Sequence, residues 1–186
     1  MAVLKICRYG EPVLRQRTKP AEYGEIAGRL PELLRDMWDT CAAANGVGLA
    51  ANQIGLPLRL AVIALPVGKD QVRRFVLLNP KIVGKAGLME EDEGCLSFPG
   101  FFAPTKRYAE VKVRAQDEEG RHYELSARGL LAKALQHEID HLDGKLLIDR
   151  VAPVDKSQVK DHLKEVVRSW DKPQSNKAGQ KQNGKA

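Results

Sequence analysis

The sequence predicts an α+β fold in which mixed or antiparallel β-sheets pack around a central helix bearing the metal-binding pattern His-Glu-x-x-His, followed by a C-terminal helix and a disordered tail. Three observations carry this. Short apolar, β-branched runs bounded by turn residues fill the middle of the chain. Three longer segments place apolar residues at helical spacing. The last stretch has no apolar face to bury.

Taken in order, a helix is predicted from about Glu25 to Ala44, because Leu30, Leu33, Leu34, Met37 and Cys41 share one stripe, with Pro31 near its start, where proline is tolerated. Strands follow at Leu58–Leu65, Phe75–Leu78, Glu110–Gln116 and His122–Leu125, the last two joined by a turn at Glu119-Gly120. A second helix covers Leu130 to Leu142 and stops at Gly144. A third runs from about 155 to 170, with Asp155 as N-cap. Residues 1–171 thus read as a single domain and 172–186 as a basic disordered tail.

The chain has 186 residues, 43% hydrophobic and 29% charged, which suits one globular core. Its net charge of +6 is uneven. The tail carries Lys172, Lys177, Lys181 and Lys185 and no acid, so the remainder is nearly balanced. No apolar run approaches the roughly 18 residues that span a bilayer, and the first residues, with Lys5 and Arg8, lack a signal-peptide form. The three cysteines, Cys7, Cys41 and Cys95, do not form a disulfide framework. A cytoplasmic protein without a membrane association is expected.

The sharpest chemical signal is His137-Glu138-Ile139-Asp140-His141. On a helix, residues i and i+4 share a face, so two imidazoles can hold one metal ion, while Glu138 stands beside them, free to move protons. A catalytic metal usually takes three protein ligands and keeps one position open. Downstream, Asp143, Asp149, His162 and Glu165 are possible third ligands. Upstream, Cys95 sits in Glu93-Gly94-Cys95-Leu96-Ser97, where Gly94 permits close approach and Ser97, Pro99 and Gly100 indicate a loop or strand end. Cys7 and Cys41 read as small buried hydrophobes.

A third element is Gly46-Val47-Gly48-Leu49-Ala50-Ala51-Asn52-Gln53-Ile54-Gly55. Without a lysine it is no P-loop, and a preceding helix argues against a dinucleotide fingerprint. It lets backbone approach a ligand closely, with Gln53 as a neutral donor; a purely structural turn is the other reading. On the face of the second helix leading to His137, Ala134, Lys133 and Leu130 should line a pocket, apolar enough for a methionine side chain, with the Lys133 stem packed and its ammonium in solvent. Phe101 and Phe102 are candidates for a further pocket wall or for core packing.

The segments G-V-G-L-A-A-N-Q-I-G, E-G-C-L-S and H-E-I-D-H-L-D-G, in this order, resemble the three signature motifs of the bacterial-type peptide deformylase family, and the similarity extends from Cys7-Arg8-Tyr9-Gly10 to Ile148-Asp149-Arg150. The resemblance implies that Cys95, His137 and His141 hold a metal, Fe2+ with Zn2+, Ni2+ or Co2+ as substitutes. It implies that Glu138 is the general acid/base for attack of a metal-bound water on the N-formyl group of formyl-methionyl nascent peptides. Gln53 and the Leu96 N–H would stabilise the oxyanion, Val47 and Gly48 would bind the substrate main chain, and Asp140 and Arg107 would support the site. In some relatives a basic residue sits close to where Phe102 falls.

Two other readings stay open: an HExxH zinc endopeptidase, which would not need Cys95, and a ribosome-associated binding module with a structural metal. On the third helix, Val159, Leu163, Val166 and Trp170 form an apolar stripe, and Lys156, Lys160, Lys164 and Arg168 a basic one. With the tail, the basic stripe reads either as a solvated face of a packed surface helix or, as the deformylase resemblance implies, as a contact with ribosomal RNA phosphates near emerging formylated chains, without sequence-specific nucleic-acid readout. A monomer is expected.

Overall fold

The run Leu60-Ala61-Val62-Ile63-Ala64-Leu65 has no polar residue, so a strand built from it needs cover on both faces. In the computed structural model, which describes residues 2–67, 71–152 and 156–170, that cover is supplied by two helices. The strands in chain order are β1 (Gly48–Ala50), β2 (Leu60–Pro66), β3 (Val72–Ala86), β4 (Met89–Gly94), β5 (Phe102–Arg107), β6 (Glu110–Gln116) and β7 (His122–Arg128). They form a five-stranded antiparallel sheet of order β1-β2-β3-β6-β7 and a two-stranded ribbon, β4-β5. The helices are α1 (Tyr23–Ile26), α2 (Leu30–Ala43), α3 (Gly129–Leu142) and α4 (Lys156–Trp170).

Alternation along β2 divides the interior. Leu60 and Val62 join Leu49, Val76 and Leu78 against Leu30, Leu34, Met37 and Cys41 of α2. Ala61, Ile63 and Leu65 join Leu77, Val111 and Val113 against Ala132, Leu135, Ile139 and Leu142 of α3. A third cluster gathers Cys7, Leu14, Phe98, Phe101, Leu146, Leu147 and Val151 around Leu163 of α4, with Val159 and Val166 partly buried beside it. Trp170 donates its indole N–H to the Pro99 carbonyl at 2.9 Å, fastening α4 to the loop after β4. The basic side of α4, with Lys156, Lys160, Lys164 and Arg168, is exposed.

Several boundaries differ from the sequence expectation. The helix expected over residues 25–44 is split into α1 and α2, because Pro31 occupies the first turn of α2 and cannot donate a bond further inside. Strand β3 continues far past Leu78: Asn79-Pro80 reads as a stop, but the register shifts between Leu78 and Lys81, and the proline sits at that bulge. Strands β4 and β5 were not expected, since Met-Glu-Glu-Asp-Glu-Gly and Phe-Ala-Pro-Thr-Lys-Arg have weak strand propensity. Gly48–Ala50 forms a strand where a glycine turn was an open reading. The β6–β7 turn falls at the expected place, with Gly120 at φ 77°. Asp155 and the residues after Trp170 lie outside the described residues, so neither the N-cap nor the disordered tail is addressed. Among the described residues, no helix is long and apolar enough to cross a membrane.

The C-terminal end of α3, where carbonyls lack intrahelical partners, is held by donors from elsewhere in the chain. The Thr18 N–H and hydroxyl both donate to the Leu142 carbonyl at 2.9 Å, and Asn52 donates to that of His141 at 2.6 Å. Leu135, fully buried between this helix and the sheet, tests the same seating from the apolar side. Leu135→Ala should lower the unfolding free energy by about 2–5 kcal/mol, seen as a lower urea midpoint with an unchanged slope.

Candidate metal centre and active site

One helical turn separates His137 from His141 on α3, and their ring centroids are 5.0 Å apart. Cys95 reaches them from the tight turn that ends β4, where the Phe98 N–H donates to the Cys95 carbonyl at 2.8 Å. Ligand atoms of Cys95, His137 and His141 all lie within 4.8 Å of one another, with Cys95 Sγ 3.1 Å from His141 Nε2. Among the described residues they form the one such cluster. Of the alternative third ligands, Asp143 pairs with Arg59, Asp149 with Arg15, His162 stacks on Phe101, and Glu165 is exposed.

The donor set suits a first-row divalent ion: one thiolate and two imidazoles leave a tetrahedral site one position short. Burial drives His141 well below the ordinary histidine range, with the positive charge of His137 acting in the same sense. Its ring is therefore neutral, the form that binds metal. Burial also opposes charge on His137, but Cys95 and Glu93 outweigh it and raise its pKa.

A buried ionic chain stands behind the ligands. Glu93 Oε2 lies 3.1 Å from His137 Nδ1, fixing the ring so that Nε2 faces the cluster. Arg107 grips both Glu93 oxygens, at 2.8 and 2.9 Å, and bonds Asp140 as well. Arg150 closes the chain on Asp140, its Nε at 2.7 Å from Oδ2. Burial alone would raise the Glu93 pKa, yet Arg107 and His137 hold it at about 2. Arg107 and Asp140 were expected to support the site. Glu93 and Arg150 had been given no role, though both lie inside segments already singled out.

Gln53 is buried, and its amide is oriented from both ends. Its Oε1 accepts from the Ala50 N–H at 2.8 Å. Nε2 therefore points toward Ser97 Oγ at 3.2 Å and Cys95 Sγ at 3.7 Å. Glu138 is also buried, and its Oε2 has no hydrogen-bond partner among the described residues. Burial pushes its pKa up to about 7, and the Glu93 charge adds to the effect against His137 and Arg107. Gly48 lies against Glu138, and a Cβ there would come within 2.3 Å of Oε1. A Cβ on Gly46 would meet the Leu96 side chain at 2.8 Å.

Gln53, Glu93, Cys95, His137 and Glu138 line a cleft of about 980 Å³ together with Val47, Gly48, Leu96, Leu130 and Ala134. Lys133 lines it too, but its ammonium is bound to Glu91 at 2.6 Å instead of standing free in solvent. Phe101 is fully buried in the third core, whereas Phe102 remains exposed at the cleft.

Residues 3–157 match the family described as Polypeptide deformylase. A peptide deformylase of Elusimicrobium minutum is 45% identical over 175 residues, covering 91% of this chain and 99% of the relative. The crystal structure of peptide deformylase from Thermus thermophilus superposes with a TM-score of 0.82 at 41% identity, covering 89% of this chain and 96% of that one. The peptide deformylase of Synechococcus elongatus, solved in complex with actinonin, gives 0.79 at 41% identity, with 86% of each chain covered.

The contact between Gly48 and Glu138 gives a direct test. Gly48→Ala must displace the carboxylate, since the three atoms nearest the added methyl group all belong to Glu138 and none to Cys95, His137 or His141. A displacement of about 1 Å at a reacting group costs on the order of 10²-fold in rate. Steady-state kinetics with metal analysis should therefore show a loss of that order in kcat at full metal content.

Proposed function

This chain belongs to the polypeptide deformylase family, metal-dependent hydrolases of formylated nascent peptides, and on that footing we propose how its cleft performs the reaction. Family membership sets aside the endopeptidase and structural-metal readings. The observation that carries the mechanism is a buried Glu138, with one unpartnered carboxylate oxygen, next to three convergent metal-ligating side chains.

Cys95, His137 and His141 would hold one divalent ion, ferrous iron with zinc, nickel or cobalt as substitutes, and bound there it would supply Lewis acidity and a nucleophile at neutral pH. Glu138 accepts a proton from the attacking water and returns it to the amine nitrogen as the C–N bond of the formamide breaks, releasing formate. A carboxyl group with a pKa of about 7 is matched to both halves of that transfer. Gln53 Nε2 and the Leu96 N–H stabilise the oxygen on which charge develops. The Gln53 amide cannot turn away without losing the bond to Ala50.

The peptide main chain lies along Val47 and the first residue of β1, Gly48, at an edge of the five-stranded sheet. Ala134 and the inner part of Leu130 receive the methionine side chain. The exposed basic side of α4 touches ribosomal RNA through phosphate contacts, which places the cleft near emerging chains.

On a formyl-Met peptide assayed without oxygen, Glu138→Gln should keep its metal and lose about 10²–10⁴ in kcat. Cys95→Ser, His137→Ala and His141→Ala should lose metal and activity together, whereas Cys7→Ala and Cys41→Ala retain both. Stoichiometric, tight metal binding by Cys95→Ser would remove that residue from the ligand set. For the basic face, Lys160→Glu with Lys164→Glu should weaken cosedimentation with ribosomes at moderate salt while peptide turnover stays unchanged; undiminished cosedimentation would leave α4 as a solvated face.

A further inference from the structure

The two imidazoles of the metal centre are held differently. His137 has Glu93 at its Nδ1, 3.1 Å away. His141 turns Nε2 toward Cys95 Sγ, at 3.1 Å, and its Nδ1 is buried with no hydrogen-bond partner among the described residues. Metal-ligating histidines are ordinarily aimed by a partner on the second ring nitrogen. Without one, the place of the His141 ring follows from the place of its backbone.

Among the described residues, one side chain bonds that backbone. Asn52 is fully buried, and its Nδ2 donates to the His141 carbonyl at 2.6 Å, an acceptor shared with the Gly144 N–H at 3.0 Å. The other end of the amide, Oδ1, has no partner among the described residues. A buried acceptor left unbonded opposes folding. An apolar side chain of that size would avoid this penalty, so the bond to His141 is what the polar group provides. Asn52 also adjoins Gln53 in the 3-10 turn Ala51–Ile54. Gln53 is itself tied down, its carbonyl by the Cys7 N–H at 2.7 Å and its Oε1 by the Ala50 N–H. The Asn52 bond thus joins the turn carrying the oxyanion donor to the helix residue carrying a metal ligand.

We propose that Asn52 is a positioning residue for the reaction: through the His141 carbonyl it sets where the second imidazole stands and how far Gln53 Nε2 lies from the metal. Asn52 does not line the cleft and acts only through His141 and Gln53. The role rests on the mechanism proposed above and adds the part that keeps metal ligand and oxyanion donor in register. Oxyanion donors act at about 2.7–3.1 Å, and a displacement of about 1 Å at a reacting group costs on the order of 10²-fold in rate. A tie that fixes this spacing therefore governs turnover more than substrate affinity.

The test compares the cobalt-loaded full chain with Asn52→Leu, close in size and without a donor, and Asn52→Asp, which sets an acceptor where the donor stood. Cobalt release to a chelator is followed through the visible absorption of the bound ion, and kcat and KM are measured on formyl-Met-Ala-Ser at cobalt saturation. Both variants should release cobalt roughly 10–100-fold faster and lose roughly tenfold or more in kcat at unchanged KM. Asn52→Leu should do so with a urea midpoint at or above that of the wild type, because an apolar group removes the unbonded acceptor. A packing role alone would move the midpoint and leave cobalt release untouched, and that result would overturn the proposal. So would wild-type cobalt release and turnover in either folded variant, with the mechanism left standing. A wild-type chain that binds no cobalt or deformylates nothing would overturn the mechanism beneath it as well.

Discussion

The site depends on one buried cation. Arg107, on β5, is almost fully enclosed and bonds Glu93 on β4 and Asp140 on α3 at once. Charges in a low-dielectric interior persist only when their geometry satisfies them, and removing one partner leaves the others stranded at a cost of several kcal/mol. That stringency fixes distances. Glu93 is two residues before Cys95, and Asp140 is one residue before His141, so Arg107 sets how far the ribbon carrying the thiol lies from the helix carrying the imidazoles. Glu93 then orients His137 itself. Hydrophobic packing brings α3 to the sheet, but packing is non-directional; the ionic chain supplies the register.

A second constraint acts from the opposite wall. β1 approaches α3 so closely that only glycine fits at position 48. The result is a carboxylate buried beside the ligands, with nothing among the described residues bonded to Oε2. Burial makes the neutral acid and its anion close in energy near neutrality, whereas the paired Glu93 stays ionised under the same conditions. Two carboxyl groups within one small region thus hold different protonation behaviour because one has Arg107 bonded to both its oxygens and the other does not.

Much of this was legible in the sequence, to the extent that it was local. His137 and His141 share a face by helical spacing alone, Gly144 marks the end of α3, and the apolar stripe of α4 could be read directly. Cys95 was harder, because its ligand partners lie on another element; flanking glycine and serine raised it above Cys7 and Cys41, and the resemblance of three ordered motifs assigned it. The Glu93–Arg107 pair was obscured because it crosses an antiparallel ribbon made of acidic, glycine- and proline-containing strands. Such strands owe their form to tertiary contacts and not to propensity. The three-residue β1 was equally hidden, since Gly46–Gly48 offers no alternation to read.

β1 sits at the margin of the sheet, with β2 on one side and the cleft on the other. A strand margin accepts only a backbone already drawn out straight, because a helix or hairpin has spent its own amides and carbonyls internally. Under the proposed binding mode, the availability of a terminus is then a matter of timing. Each new chain offers its first residues for the interval between emergence and local folding, and a terminus that coils or docks sooner leaves the accessible pool with its formyl group still attached.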